Sequence, residues 1–244
     1  MRRLDRLHLE VTNVCNFKCE FCPDAVMERS RGHMDFNRLQ TILREVAAAD
    51  LAEIVAFHLM GEPLIYPHIF PAIATALSHN LRLHLTTNGS TFALKPEHIP
   101  QLIASGIPKV TISLQTPDPE TFQIRGAPPR LLPDAYFAGI TAYVQANLAA
   151  VESPTRVHLK FLDTSPHPFL VPHKPLRVVN GVEHMQAELT AWSDRLLADC
   201  PVPIDPGHIQ TQIQQFKPGR WQLIWLHPKL ALECFPLDLS LIHI

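Results

Sequence analysis

The residues best suited to chemistry are three cysteines, Cys15, Cys19 and Cys22, in the run Val14-Cys15-Asn16-Phe17-Lys18-Cys19-Glu20-Phe21-Cys22-Pro23. Thiolate sulfur is the soft, anionic ligand that iron–sulfur clusters and zinc prefer. A four-iron, four-sulfur cluster is normally held by four thiolates, so three closely spaced ones would grip such a cluster and leave one iron open. That arrangement suits catalysis better than electron storage. Zinc is the competing ligand, because the trio needs only one more group, such as His33, to complete a tetrahedral site. Positions 15, 19 and 22 also fall at helical spacing, which would make the trio a buried helix face. Asn13, Asn16 and the immediately following Pro23 speak for a loop instead.

A loop of this kind needs elements to position it. Leu7 to Val11 alternate as a strand and deliver the chain into the cysteine run, and 35–49 carries Phe36, Leu39, Ile42, Leu43 and Val46 at helical spacing. A strand over 54–60 ends at Gly61-Glu62-Pro63, a proline-opened helix covers 67–78, and a strand over 81–87 ends at Asn88-Gly89. A helix near 96–105, a strand over 109–114, a helix over 134–147 and a fifth strand over 156–162 follow. Such alternation implies parallel strands joined by helical crossovers, an α/β fold read as a partial (β/α)6 TIM-like barrel. Beyond the proline-rich run 163–175, the pattern predicts a helix over 182–197, a sixth strand near 209–216, and a C-terminal β-hairpin from 221–226 and 230–235. The chemical residues fall at the C-terminal ends of successive strands, where barrel enzymes build active sites.

The spacing Cys15-x3-Cys19-x2-Cys22, with Phe21 before the last cysteine, resembles the signature of the radical S-adenosylmethionine superfamily. Met60-Gly61-Glu62-Pro63-Leu64 resembles that family's segment after the second strand, Thr86-Thr87-Asn88-Gly89 its third strand ending, and Ile112-Ser113-Leu114-Gln115 its fourth. The stretch from Cys22-Pro23 through Arg29, Gly32 and Met34 resembles the subgroup with SPASM or twitch extensions. The resemblance implies a 4Fe–4S cluster on Cys15, Cys19 and Cys22, with S-adenosylmethionine on the open iron. Phe21 would lie near the adenine, Gly61 would allow close backbone approach, and Glu62 would face the ammonium group. Thr87 and Asn88 would bind the methionyl or ribosyl part, and Ser113 and Gln115 the ribose. Gln115 stands where many relatives carry aspartate. The implied activity is reductive cleavage of S-adenosylmethionine to a 5′-deoxyadenosyl radical that takes hydrogen from a peptide or small-molecule substrate. A flavodoxin- or ferredoxin-like protein would donate the electron. The alternative is a non-catalytic scaffold holding zinc or a degenerate cluster.

At 244 residues the chain suits one full domain with a small appendage, read as a core over 1–200 and a strand and hairpin extension over 201–244. A net charge of −2 without a long basic run argues against nucleic acid as partner. The absence of a long apolar stretch or an apolar leader sets the expectation of a soluble, cytoplasmic protein without membrane contact. Five cysteines, three of them clustered, do not form a disulfide framework. Cys200 and Cys234 are too few to complete an auxiliary four-thiolate cluster and read as small buried residues. Arg125 reads as a solvated helix-end arginine. Lys160 falls on the fifth strand with either face open to it, and His58 is an inward candidate with no role assigned.

Overall fold

The computed structural model describes residues 2–164, 178–198, 200 and 204–236. Seven strands form one sheet: β1 (Leu4–Leu9), β2 (Ala52–Phe57), β3 (Leu83–Thr87), β4 (Lys109–Gln115), β5 (Arg156–Asp163), β6 (Gln222–His227) and β7 (Leu230–Pro236). Their spatial order is β1-β2-β3-β4-β5-β7-β6, with every pairing parallel except the β6–β7 hairpin. The sheet does not close, so the architecture is the partial barrel expected. The helices are α1 (Phe36–Ala48), α2 (Ile69–Ser78), α3 (Thr91–Leu94), α4 (His98–Ala104), α5 (Pro133–Ala149), α6 (Gly181–Leu197) and α7 (Pro206–Gln214).

Strand alternation sorts the sheet into two unlike faces. Val55 and Phe57, Leu83 and Leu85, Val110 and Ile112, and Leu159 and Phe161 are fully buried on the helix side. There Phe161 meets Trp192 of α6, with ring centroids 6.3 Å apart. The opposite face carries Arg6 and His8 of β1, His58 just beyond β2, His84 of β3, Lys109 of β4, and Arg156, His158 and Lys160 of β5.

One element differs from expectation. Residues 209–216 do not make a sixth strand; most of them belong to α7, capped by the Asp205 side chain, which accepts from His208 N at 3.1 Å, and opened by Pro206. Ile209 and Ile213 are four apart, and both are buried on the one face α7 turns inward. The sixth position of the sheet is taken by β7, whose Leu230–Pro236 runs parallel to β5 from Val157 to Asp163. The predicted hairpin thus forms and adds its strands to the sheet. The proline-rich run from 165 onward and the apolar ending 239–244 lie outside the described residues. No helix among the described residues is long and apolar enough to cross a membrane.

Candidate active site at the strand ends

The cysteine loop leaves β1 and is closed at its base by local hydrogen bonds. Asn13 Nδ2 donates to Ser30 O at 2.8 Å, Gly32 N donates to Asn13 Oδ1 at 2.7 Å, and Met34 N donates to Val11 O at 2.9 Å. Asp24, buried inside the loop, is paired with Lys18 at 3.0 Å and with Arg31. The loop is also held from the far side of the barrel mouth, where Lys18 N donates to Arg125 O at 3.0 Å and Glu20 N to Ile124 O at 3.0 Å. The helical-face reading of the cysteines therefore fails. Cys22 caps a single 3-10 turn, Pro23–Val26, and the rest of the run is irregular.

At the end of β2, Gly61 has a φ of +78°, and Glu62 N donates to Val14 O of the cysteine loop at 2.8 Å. A Cβ on Gly61 would run into the Thr12 carbonyl and come within 2.9 Å of Asn13 Cα, so this approach requires glycine. Glu62 is 1 % exposed. Its carboxylate accepts from Leu64 N at 2.9 Å, Thr87 Oγ1 at 2.6 Å and Asn88 N at 2.5 Å. Burial pushes the Glu62 carboxyl up, against these donors and Arg125, which pull it down. A carboxylate offers about four lone-pair sites, and these donors occupy three of them. Glu62 is above all the pin that joins the end of β2 to the end of β3.

Asn88 carries that connection into the cysteine loop. Its Nδ2 donates to Asn16 Oδ1 at 3.0 Å and lies 3.7 Å from Cys15 Sγ, while Asn16 Nδ2 donates to Ser90 Oγ at 2.8 Å. Tyr136 of α5 donates to Asn88 O at 2.7 Å and fixes the backbone from behind. Thr87, Asn88 and Glu62 therefore form one connected unit with Cys15.

Arg125 is the residue that the sequence reading misplaced. It is 1 % exposed, with Nη1 donating to Gln115 Oε1 at 2.7 Å and Nη2 to Ser113 O at 2.9 Å. Its guanidinium lies 4.9 Å from the Phe17 ring centroid and 5.7 Å from that of Phe21. The 3-10 turn Thr121–Arg125 ends at Gly126 with a φ of +52°, where a Cβ would stand 2.7 Å from Lys18 O. That tight turn sends Arg125 inward. It thereby gathers the β4 end, Phe21 and the cysteine loop. Gln115 is itself in the left-handed region, with a φ of +58°, at a bulge in the β4–β5 pairing. The signal available in the sequence was the Arg125-Gly126 pair; nothing in the residue types showed that Arg125 would be buried.

Burial pushes the Cys15 thiol up to about 12, with Glu62 adding to the effect, and burial likewise raises Cys19 and Cys22. Buried thiols of this kind need a metal to hold them as thiolates. A single zinc at about 2.3 Å from each sulfur would bring sulfurs to about 3.8 Å from one another. Among the described residues, no three of Cys15, Cys19, Cys22 and His33 have ligand atoms within 4.8 Å of each other. The wider spacing fits a polynuclear cluster. Two further groups suit sulfur ligands: Asn88 Nδ2 beside Cys15, and the Arg125 guanidinium, which favours the Cys19 and Cys22 thiolates and whose Nε is buried without a partner among the described residues. Cys234 is fully buried on β7, its thiol pushed up to about 12 by burial, and Cys200 is half-buried against the core.

Residues 9–153 match the Radical SAM superfamily family model. The GTP 3′,8-cyclase of Geobacter sulfurreducens is 33 % identical over 125 residues, 50 % of this chain and 37 % of that protein. The S-adenosyl-L-methionine-dependent 2-deoxy-scyllo-inosamine dehydrogenase of Niallia circulans is 29 % identical over 110 residues, 44 % of this chain and 43 % of its own length. The chain thus spans about two fifths of the length of these curated relatives. Among solved structures, HydG, a maturase of the FeFe hydrogenase, superposes with a TM-score of 0.55 at 16 % identity, covering 81 % of this chain and 40 % of that one. SuiB of Streptococcus suis gives 0.53 at 16 % identity, covering 82 % and 48 %. The latter two likenesses carry the fold, and the family match carries the identity: this chain belongs to the radical S-adenosylmethionine superfamily, whose cofactors are a 4Fe–4S cluster and S-adenosylmethionine.

Proposed function

We propose that this chain is the catalytic core of a radical S-adenosylmethionine enzyme that removes a hydrogen atom from a peptide or small-molecule substrate. The observation that carries the proposal is the single hydrogen-bonded unit Glu62–Thr87–Asn88–Cys15, which ties two strand ends to the cysteine loop. In this reading Cys15, Cys19 and Cys22 hold the cluster, and an electron from a flavodoxin- or ferredoxin-like partner reduces it. When bound, the cluster and S-adenosylmethionine supply reductive cleavage of the sulfonium and a 5′-deoxyadenosyl radical.

The chain's own residues do the positioning. Glu62 fixes the Gly61–Leu64 backbone turn, so the cofactor's amino group meets a rigid surface rather than a mobile one. Asn88 holds the loop at Cys15, and Arg125 holds the β4 end, so Ser113, Gln115 and Phe21 keep fixed places for the ribose and adenine. Phe17, Phe122 and Tyr136 pack under the loop and exclude water from that side.

The test is anaerobic reconstitution with iron and sulfide, then electron paramagnetic resonance of the reduced protein. Four irons per chain and a signal that changes on adding S-adenosylmethionine are expected. Zinc-only binding, or a cluster signal indifferent to S-adenosylmethionine, would refute the proposal.

A further inference from the structure

The face of the sheet turned away from the helices carries a row of cationic side chains that the cofactor site does not use. The strand register places His84 beside Lys109 and Lys109 beside Arg156, and it places His8 beside Ala56, itself the neighbour of His84. This row therefore runs across β1 to β5 at one level. Arg6 lies one step below His8 on the same face. Their mutual proximity is felt electrostatically: burial depresses the half-buried Lys109, the Glu233 carboxylate pulls it back up, and Arg6, Lys160 and Arg156 depress it further. Burial and then Lys109 hold the His84 imidazole down to about 4.

One carboxylate bears on this row, Glu233, which attracts Lys109 without forming an ion pair with it. Glu233 of β7 faces the same side but is engaged by His158 Nδ1 at 3.0 Å, Trp221 Nε1 at 3.0 Å and Lys160 Nζ at 3.7 Å. Glu10, at the rim, is taken by both guanidinium nitrogens of Arg29 at 2.6 and 2.9 Å. Among the described residues, Arg6, Lys109 and Arg156 have no ion-pair partner. A barrel interior is ordinarily packed with branched apolar side chains. Converging unpaired cations on a concave, partly dried surface raise the local concentration of anions and hold them through charge-assisted hydrogen bonds.

We propose that this row is the anion-binding floor of the substrate site, and that the substrate is a small molecule bearing a phosphate or carboxylate group. The inference rests on the enzymatic reading above. Lys109, Arg156 and Arg6 take the anionic group. Lys109 and Ser113 lie four residues apart on β4, about 13 Å at the rise of a strand. A substrate anchored at Lys109 would therefore extend up the face and present its far end at the rim, where Ser113 and Gln115 lie. Binding energy from the anionic end would orient the reacting end.

The experiment is isothermal titration of the full chain, with and without cluster and S-adenosylmethionine, using inorganic pyrophosphate in one series and malonate in another. Saturable binding of one probe is expected, and the tighter probe tells phosphate from carboxylate. Lys109→Gln or Arg156→Gln should each weaken it about tenfold, and the pair about a hundredfold, with affinity for S-adenosylmethionine unchanged. Arg156 is exposed at the start of its strand, so Arg156→Gln remains informative if Lys109→Gln does not fold. Absence of saturable binding of either probe, or equal affinity in wild type and variants, overturns the proposal. Because the cofactor-free protein is titrated too, failure of anion binding stays distinguishable from failure to bind S-adenosylmethionine.

Discussion

At the rim, Glu62 directs its carboxylate to Leu64 N, Thr87 Oγ1 and Asn88 N, and Arg125 directs two nitrogens to Ser113 O and Gln115 Oε1. On the sheet face below, Lys109, Arg6 and Arg156 meet one another's fields without a direct ion pair among the described residues, and Glu233, bonded elsewhere, draws on Lys109. These rim groups are thus spent largely on the protein itself, whereas the three cations of the face are not. The contrast teaches how one fold separates two tasks. In the proposed reading, the cofactor common to the superfamily sits in a rigid frame of hydrogen bonds, and the particular substrate meets groups left free to bind it.

If that contrast is right, breaking the frame costs stability and cluster together. The largest effect is expected for Glu62→Ala, which leaves two backbone N–H groups and a hydroxyl buried without their acceptor. Urea unfolding should show a loss of about 3–5 kcal/mol, and iron content after reconstitution should fall with it. Arg125→Met keeps the volume and removes the donors to Ser113 and Gln115; a loss of about 2–3 kcal/mol is expected, together with a weakened response to S-adenosylmethionine. Iron content close to wild type in that variant would show that Arg125 serves the β4 end more than the cysteine loop.

The face should answer to pH instead. Burial first, then Lys160, His8 and Arg6, hold His58 down to about 4 from 6.5, and His84 lies at about 4 as well. Between these values the unfolded chain binds more protons than the native one, so stability falls as pH drops from about 6.5 towards 4. For His58 the contribution is on the order of 3 kcal/mol, and His58→Asn should flatten that limb of the pH–stability curve. The smallest effect belongs to Trp221→Phe, which removes one donor to Glu233. Burial alone would raise that carboxyl, but His158, Lys160 and Trp221 outweigh it and hold it down to about 2. About 1 kcal/mol is expected, with no change at the rim.

The rim was largely legible in the sequence because its chemistry is written locally. The cysteine spacing, Gly61-Glu62-Pro63 and Asn88-Gly89 each sit at the end of a strand that its own alternation announces. Arg125 was not legible, since its burial depends on the turn ended by Gly126 and on Lys18 arriving from a segment more than one hundred residues away in sequence. The segment 209–216 was misread because its apolar residues are few. The four-residue spacing of Ile209 and Ile213 after Asp205-Pro206 was the stronger signal, and it is helical. The cationic face was hidden for another reason. Period two shows that Lys109, Arg156 and Lys160 alternate with apolar neighbours, but which side the helices cover is settled only by the packing of the crossovers.

The most direct test of the central claim is the assay for 5′-deoxyadenosine in anaerobically reconstituted, dithionite-reduced protein given S-adenosylmethionine. The account predicts 5′-deoxyadenosine and methionine in equal amounts, abolished in Cys19→Ser. Protein that carries four irons per chain, binds S-adenosylmethionine and still releases no 5′-deoxyadenosine would contradict it.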